Sequence, residues 1–194
     1  MKKLAVILAT MLLAGCSVGH VKFDSSGEKF TSRQTAGIPY VASITGTATA
    51  VSPHLSVTAK HVADQVVPDG MVLARHPKCD VAFIAADNRE QPTFPDFAHP
   101  RFDHAQLYGY SANTLQPVSG EGKVVGVTRY NGCMVYRAAA GGMQGMSGGP
   151  VVQDGKVVGV IVALDMKREE VLFVGMDTIG TWLDKLRGGE IPKR

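Results

Sequence analysis

From Tyr40 onward the chain is a series of short apolar stretches separated by turn-forming residues, and this pattern limits the fold more than any other feature of the sequence. Stretches of this length, recurring roughly every 8–12 residues, are typical of antiparallel β-sandwiches and barrels. Asp154-Gly155, which lies between two valine pairs, favours a two-residue hairpin. We therefore predict an all-β fold with strands at Tyr40–Ile44, Thr47–Val51, Leu55–Thr58, Met71–Arg75, Val81–Ala85, Ala105–Tyr110, Lys123–Arg129, Met134–Ala138, Pro150–Gln153, Lys156–Ala163 and Val171–Met176.

Helical periodicity is found only near the C-terminus, where Ile179, Trp182, Leu183 and Leu186 follow the i, i+3, i+4, i+7 spacing. Asp177 can cap the first turn, so a short helix is expected at about 177–187. A chain of 194 residues is long enough for one domain or for two small units packed together.

The charge pattern gives no support for nucleic acid as a partner. The chain has 20 basic and 17 acidic residues, and no basic run is longer than two. A nucleic-acid-binding surface normally shows as a cluster of basic residues, so none is predicted. We also expect no metal and no cofactor, because the sequence lacks the His-x-x-x-His and Cys-x-x-Cys spacings of zinc sites.

The N-terminus has the form of an export signal. Two lysines precede an apolar run of eleven residues, Leu4–Ala14, which is too short for a membrane-spanning helix. The run ends in Leu13-Ala14-Gly15-Cys16, which resembles the lipobox of bacterial lipoproteins. The resemblance implies removal of residues 1–15 and lipidation of Cys16, with palmitate among the acyl chains. An ordinary secretory signal is the alternative.

Two acyl chains would anchor the mature protein to a membrane. Within this resemblance, Ser17 after the cysteine favours the outer membrane, so we expect a lipid-anchored protein of the bacterial cell envelope. Residues 16–37 are predicted to form the lipidated cysteine and a flexible polar tether, because Asp24–Lys29 is rich in polar residues. Cys79 and Cys133 are either a disulfide or two buried thiols, and the sequence leaves both open.

Two segments place a histidine and an aspartate at strand ends. Ser56–Val62 carries His61 where a strand gives way to a turn. Cys79–Ile84 opens with Asp80 ahead of an apolar strand, and a buried carboxylate requires a partner such as an imidazole N–H. Three other carboxylates lie close enough in sequence to compete for this role: Asp64, Asp69 and Asp87.

The third segment, Gly141–Pro150, surrounds Ser147 with glycines. Glycines allow positive φ and close approach of the backbone to a ligand. A loop of this kind can direct successive N–H groups at one point, as an oxyanion hole requires. It lacks the Lys-Ser/Thr pair of a phosphate-binding loop.

Together the three segments resemble the motifs of the chymotrypsin/trypsin-like serine peptidases. Thr58-Ala59-Lys60-His61 is similar to that family's Thr-Ala-Ala-His, and Asp80-Val81-Ala82-Phe83 to its Asp-Ile-Ala-Leu. The string Gly145-Met146-Ser147-Gly148-Gly149-Pro150 is similar to Gly-Asp-Ser-Gly-Gly-Pro. The resemblance implies a peptidase domain at 38–190, with antiparallel barrels at about 38–87 and about 105–176 and the active site in the cleft between them.

The resemblance also implies roles for these residues. His61, Asp80 and Ser147 would form the catalytic triad, and the N–H groups of Gly145 and Ser147 the oxyanion hole. The primary substrate pocket would be lined by Gly141, Val162, Ala163 and Leu164. Because Gly141 stands where trypsin-type members have a carboxylate, and Leu164 replaces a glycine, a small or medium apolar P1 residue is expected.

Met146 departs from the motif, since the animal enzymes have there an aspartate that pairs with a newly cut N-terminus. Activation by N-terminal cleavage is therefore not expected. The resemblance implies a membrane-tethered serine endopeptidase acting on proteins or peptides. The alternative is a catalytically inactive binding module that keeps the peptidase fold, since fold alone does not fix function.

Overall fold

A computed structural model of the chain describes residues 17–38, 42–90 and 94–188. The mostly β fold with a C-terminal helix is confirmed. The two α-helices of the described residues are α1 (Lys60–Val66) and α2 (Met176–Arg187). The strands are β1 (Ser17–Val18), β2 (Val21–Phe23), β3 (Thr31–Ile38), β4 (Ala42–Ser52), β5 (Leu55–Thr58), β6 (Val72–Arg75), β7 (Ala82–Ala85), β8 (His104–Tyr110), β9 (Pro117–Tyr130), β10 (Cys133–Ala140), β11 (Gly142–Met143), β12 (Pro150–Gln153), β13 (Lys156–Asp165) and β14 (Glu170–Gly175).

The C-terminal half is a closed antiparallel barrel. Its strands are hydrogen-bonded in the order β10-β14-β13-β12-β8-β9, and β9 pairs again with β10 to close the ring. The interior is filled by apolar side chains that include Leu107, Val124 and Phe173, all fully buried. Asp154-Gly155 forms the predicted hairpin between β12 and β13.

The N-terminal half is a five-stranded antiparallel sheet in the order β3-β4-β5-β7-β6. No strand pairing joins β3 to β6 within the described ranges, so this half differs from the closed ring of the C-terminal half. Helix α1 packs against it, with Ala63 in one apolar cluster with Ala48 and Ile84.

Two local expectations for this half were wrong. The strands predicted at Tyr40–Ile44 and Thr47–Val51 are one continuous strand, β4, although Tyr40 and Val41 lie outside the described residues. Gly46 does not break it; a Cβ at Gly46 would lie 2.5 Å from a methyl group of Val62, so the glycine makes room for α1. Helix α1 itself was not predicted, because seven residues are too few to show helical periodicity.

The flexible tether expected within 16–37 was also wrong for its described part. β3 pairs with β4 from Thr31 to Ile38, β2 pairs with β9, and β1 pairs with β11. Val18 and Phe30 are buried, and they give this polar segment enough apolar contact to join the folded domain. Cys16 lies outside the described residues.

The two halves are joined by a disulfide between Cys79, just before β7, and Cys133, at the start of β10. Helix α2 follows β14 and packs Trp182 against the first sheet, where its ring stacks on Phe83 at 4.6 Å. No helix of the described chain is long and apolar enough to cross a membrane.

Candidate active site

A cleft of about 1030 Å³ lies where the two halves meet. The first half contributes His61 from α1 and Asp80 from the loop before β7, and the barrel contributes Ser147. The structure thus brings together three residues that are far apart in the sequence. The full lining consists of Lys60, His61, Gln65, Pro77, Lys78, Asp80, Tyr130, Asn131, Gly132, Met143, Gln144, Ser147, Ile161, Val162, Ala163 and Leu164.

His61 and Asp80 form a close pair. His61 Nδ1 lies 2.7 Å from Asp80 Oδ2, and the backbone N–H of His61 donates to Oδ1 at 2.9 Å. Burial raises the pKa of Asp80, but the hydrogen bonds from His61 and the charges of His61 and Lys60 outweigh it, so the pKa is lowered. The carboxylate is therefore ionised at neutral pH and fixes the orientation of the imidazole.

The three competing carboxylates are bound to arginines on the surface. Asp64 accepts from Arg75 Nε at 2.7 Å, and Asp69 accepts from the same guanidinium at 3.2 Å. Asp87 forms a two-point pair with Arg89. Asp80 is the carboxylate that reaches His61.

The loop that carries Ser147 depends on two glycines with positive φ. Gly145 has φ +100° and Gly148 has φ +90°. A Cβ at Gly148 would lie 1.8 Å from the carbonyl oxygen of Thr47, so no other residue fits this conformation without displacing β4. The glycines predicted to shape the loop are thus required by its backbone geometry.

The backbone N–H groups of this loop fall into two sets. Those of Met146, Gly148 and Gly149 donate to carbonyl oxygens at 3.2, 2.7 and 2.9 Å. Those of Gly145 and Ser147 have no acceptor within the described residues. The N–H of the serine itself and the N–H of the residue two before it are thereby available to an external oxygen, as an oxyanion hole requires.

Buried threonines of β4, which the sequence analysis did not single out, attach the loop to the first sheet. The hydroxyl of Thr47 donates to the carbonyl of Gly145 at 2.8 Å and accepts from the N–H of Tyr110 at 3.1 Å. The backbone N–H of Thr47 donates to the carbonyl of Ser147 at 2.8 Å, and Thr49 Oγ1 donates to the carbonyl of Gly148 at 2.9 Å. The alternation of threonines along β4 is the sequence pattern that could have predicted these contacts, because a buried hydroxyl group needs a hydrogen-bonding partner.

Met146, which departs from the family motif, belongs to the core of the barrel. Its side chain is fully buried and packs in the apolar core of the barrel. At the position where the motif of the animal enzymes has an aspartate, this chain therefore has an apolar side chain that packs in the core.

The predicted pocket residues divide into two groups. Val162, Ala163 and Leu164 line the cleft beside Met143 and Gln144. Gly141 is not among the lining residues, because it packs under the N-terminal segment, where a Cβ would lie 1.8 Å from the carbonyl oxygen of His20. This part of the cleft wall is therefore formed by β13 and β11, and Gly141 does not contribute to it.

The N-terminal segment supports the same wall from behind. Ser17 pairs with Met143 and Val18 pairs with Gly142 in the β1–β11 ladder. The side chains of Val18 and Leu164 both lie within 4 Å of the place where a Cβ on Gly142 would be. The chain thus reaches the cleft wall within two residues of Cys16.

Several solved structures are similar to this chain. The active form of the Rv3671c protease from M. tuberculosis has 21% identity and a TM-score of 0.69, covering 83% of this chain and 82% of that one. The MamO protease domain from Magnetospirillum magneticum has 16% identity and a TM-score of 0.62, covering 80% and 96%. A serine endoprotease from Yersinia pestis has 16% identity and a TM-score of 0.64, covering 82% and 63%. Identities this low establish the fold alone.

Sequence comparison gives the family. No curated protein matches the chain significantly. Residues 45–160, more than half of the chain, match the family model of the trypsin-like peptidase domain. This range includes His61, Asp80 and Ser147. The chain therefore belongs to the trypsin-like peptidase family.

Proposed function

We propose that this protein is a serine endopeptidase in which Ser147 is the nucleophile, His61 the general base and acid, and Asp80 the carboxylate that orients the histidine. The observation that carries the proposal is the 2.7 Å contact between His61 Nδ1 and Asp80 Oδ2 in the cleft that Ser147 also lines. Membership of a peptidase family makes proteins or peptides the substrate class.

In the acylation step, Ser147 Oγ attacks the carbonyl carbon of the scissile bond and His61 Nε2 takes the hydroxyl proton. The ionised Asp80 holds Nδ1–H and stabilises the imidazolium. His61 then returns the proton to the leaving amine, and an acyl-enzyme on Ser147 remains. Water, activated by the same histidine, releases the acid and restores the serine.

The negative charge of the tetrahedral intermediate is assigned to the N–H groups of Gly145 and Ser147. Removal of one donor of this kind costs about 3–4 kcal/mol of transition-state stabilisation. Because both are backbone groups, the loop conformation rather than a side chain determines this contribution. The hydroxyl of Thr47 fixes that conformation through the carbonyl of Gly145.

The substrate preference proposed from the pocket is a small or medium apolar P1 residue. Val162, Ala163, Leu164 and Met143 give the cleft an apolar wall. The charged groups of the lining, Lys60, Lys78 and Asp80, come from the N-terminal half. A peptide library varied at P1 tests this preference; strong selection for Arg or Lys would contradict it.

We further propose that Cys16 carries the lipid anchor and that the protein faces the periplasm or the exterior from the outer membrane. The disulfide is compatible with an oxidising compartment. Since Ser17 pairs with Met143 of the cleft wall, the acyl chains would be attached one residue from the folded domain. Labelling with radioactive palmitate, lost in Cys16→Ser, tests the anchor.

The decisive experiment for catalysis is covalent labelling of a soluble protein beginning at Ser17 with a fluorophosphonate probe, read by intact mass and peptide mapping. We expect one adduct on Ser147 that disappears in Ser147→Ala and in His61→Ala. Ser25→Ala is the matched control. It removes an exposed serine that does not line the cleft, and it should label like the parent.

Absence of labelling on folded protein would contradict the proposal and favour the alternative, a catalytically inactive binding module. Labelling at another serine would contradict the assignment of Ser147 while leaving a serine hydrolase in place. Subsequent turnover of casein or of a peptide library distinguishes an endopeptidase from an esterase.

A further inference from the structure

His76 lies at the end of β6, directly before the loop that carries Asp80. Its Nδ1 accepts two backbone hydrogen bonds, from the N–H of Cys79 at 2.8 Å and from the N–H of Lys78 at 3.1 Å. The backbone N–H of His76 donates to the carbonyl of Val81 at 2.9 Å and closes the loop. One imidazole nitrogen thus holds the two residues that precede the aspartate.

The His76 ring is itself held in place from the other side. Trp182 of helix α2 meets it edge-on, with 5.0 Å between ring centroids and an interplanar angle of 74°. The ring is only partly exposed, and its backbone carbonyl accepts from Lys60 Nζ at 3.5 Å. A contact path therefore runs from α2 through His76 to the loop and then to Asp80.

A ring nitrogen can accept a hydrogen bond only when it carries no proton. The two bonds at Nδ1 consequently require the neutral imidazole with its proton on Nε2. A second proton would place an N–H opposite two N–H donors, and the loop would have to move.

We propose that His76 is a positioning residue for Asp80: its unprotonated Nδ1 fixes the Lys78–Cys79 backbone so that the carboxylate meets His61, and protonation of His76 releases that backbone. The proposal deepens the proposed function, since it assigns a control point to the same catalytic pair. It concerns a residue outside the cleft lining, which acts through the loop and not on the substrate.

The charges around His76 come from three elements. Lys78 and Asp80 lie on its own loop, Lys60 lies on α1, and Asp177 and Lys185 of α2 line the same surface hollow as His76. Burial, and then the charges of Lys60 and Lys78, lower the pKa of His76. A lowered pKa keeps the ring neutral to more acidic pH, so the loop is held at neutral pH and released as the pH falls through that lowered value.

Two variants distinguish the effect of the hydrogen-bond acceptor at Nδ1 from the effect of the aromatic ring. His76→Asn keeps an acceptor oxygen near the position of Nδ1 but does not titrate, and His76→Phe keeps a ring against Trp182 but has no acceptor. At neutral pH we expect His76→Asn to retain kcat within about threefold, and His76→Phe to lose at least tenfold in kcat with little change in KM. At acid pH the parent should lose activity more steeply than His76→Asn, because protonation can release the loop in the parent but not in the variant.

A second readout does not depend on catalysis. In ¹⁵N spectra the His76 ring should show the Nε2–H tautomer at neutral pH, and amide exchange at Lys78 and Cys79 should accelerate as the ring is protonated. If the parent fails to label with fluorophosphonate but shows this behaviour, the proposed function fails and the structural part of this proposal stands. Equal kcat and equal pH profiles in the parent and both variants, or a Nδ1–H tautomer at neutral pH, would overturn the proposal.

Discussion

The two halves of the molecule contribute to one cleft by different physical means. The N-terminal half supplies a hydrogen-bonded side-chain pair, His61 and Asp80, fixed by contacts at 2.7 and 2.9 Å. The C-terminal barrel supplies a backbone conformation around Ser147, fixed by positive-φ glycines and by carbonyl contacts to β4. The first contribution is sensitive to protonation, whereas the second is sensitive to added volume.

The largest expected effect comes from removing the charge on the first half. Asp80→Asn should lower kcat by about 10⁴-fold, because the amide favours the wrong tautomer of His61 while the fold is retained. Steady-state peptide hydrolysis measures the loss. Asp87→Asn, at a surface carboxylate bound to Arg89, is the matched control and should leave kcat unchanged. A comparable loss in both variants would contradict the assignment of Asp80.

The connection between the halves is tested by removing the Cys79–Cys133 disulfide. The bond closes a loop with a sequence separation of 54, for which the chain-entropy model gives a stabilisation of about 4 kcal/mol. The double variant Cys79→Ala, Cys133→Ala should lose most of this in urea unfolding. Addition of reductant should destabilise the parent and leave the double variant unchanged; a parent insensitive to reductant would contradict this prediction.

The volume sensitivity of the second half is tested at Gly148. Gly148→Ala should lower the free energy of unfolding by about 3 kcal/mol, since strain at positive φ and overlap with Thr47 add together. Gly155→Ala is the matched control, because φ is +74° there but nothing lies within 4 Å of the new Cβ. Strain alone should cost it about 1–2 kcal/mol. Equal losses at the two sites would show that the contact with β4 adds nothing.

A smaller effect distinguishes the two threonine contacts. Thr47→Val leaves the carbonyl of Gly145 and the N–H of Tyr110 without a partner, and Thr49→Val leaves one carbonyl, that of Gly148. We expect each to cost about 1–3 kcal/mol of stability, with Thr47→Val the larger. We expect only Thr47→Val to lower kcat, by about tenfold, because Gly145 carries an oxyanion donor. Equal kcat values in the two variants would contradict this distinction.

The smallest effect concerns the stability of the barrel at alkaline pH. Burial, and then the hydrogen bond and charge of Asp177, raise the pKa of Tyr136 to about 12. A raised folded-state pKa contributes stability below the unfolded value near 10, and this is lost as the pH rises towards 12. Tyr136→Phe should remove this part of the alkaline loss in urea unfolding between pH 9 and 12. An unchanged pH dependence would show that Tyr136 does not contribute.

The sequence by itself determined the fold class, the approximate strands of the barrel, the C-terminal helix and the family. These follow from local information: apolar stretches between turn residues, the Asp154-Gly155 hairpin, and three short motifs in order. It also named Asp80 while leaving Asp64, Asp69 and Asp87 as competitors. Arg75 of β6 binds Asp64 of α1 and Asp69, and no local pattern records these contacts between separate segments. The Asp87–Arg89 pair, in contrast, joins residues only two positions apart.

The tertiary structure decided what depends on contacts between distant segments. Within residues 17–38, three segments became strands because β11, β9 and β4 offered them hydrogen-bonding partners. The two cysteines became a disulfide because their Cα atoms lie 4.9 Å apart. Thr47 and His76 acquired positioning contacts through bonds to neighbouring loops, while Gly141 was excluded from the cleft lining by the N-terminal segment. The physical reason is the same in each case, since hydrogen bonds and close packing between remote segments are set by topology and register rather than by neighbouring residue types.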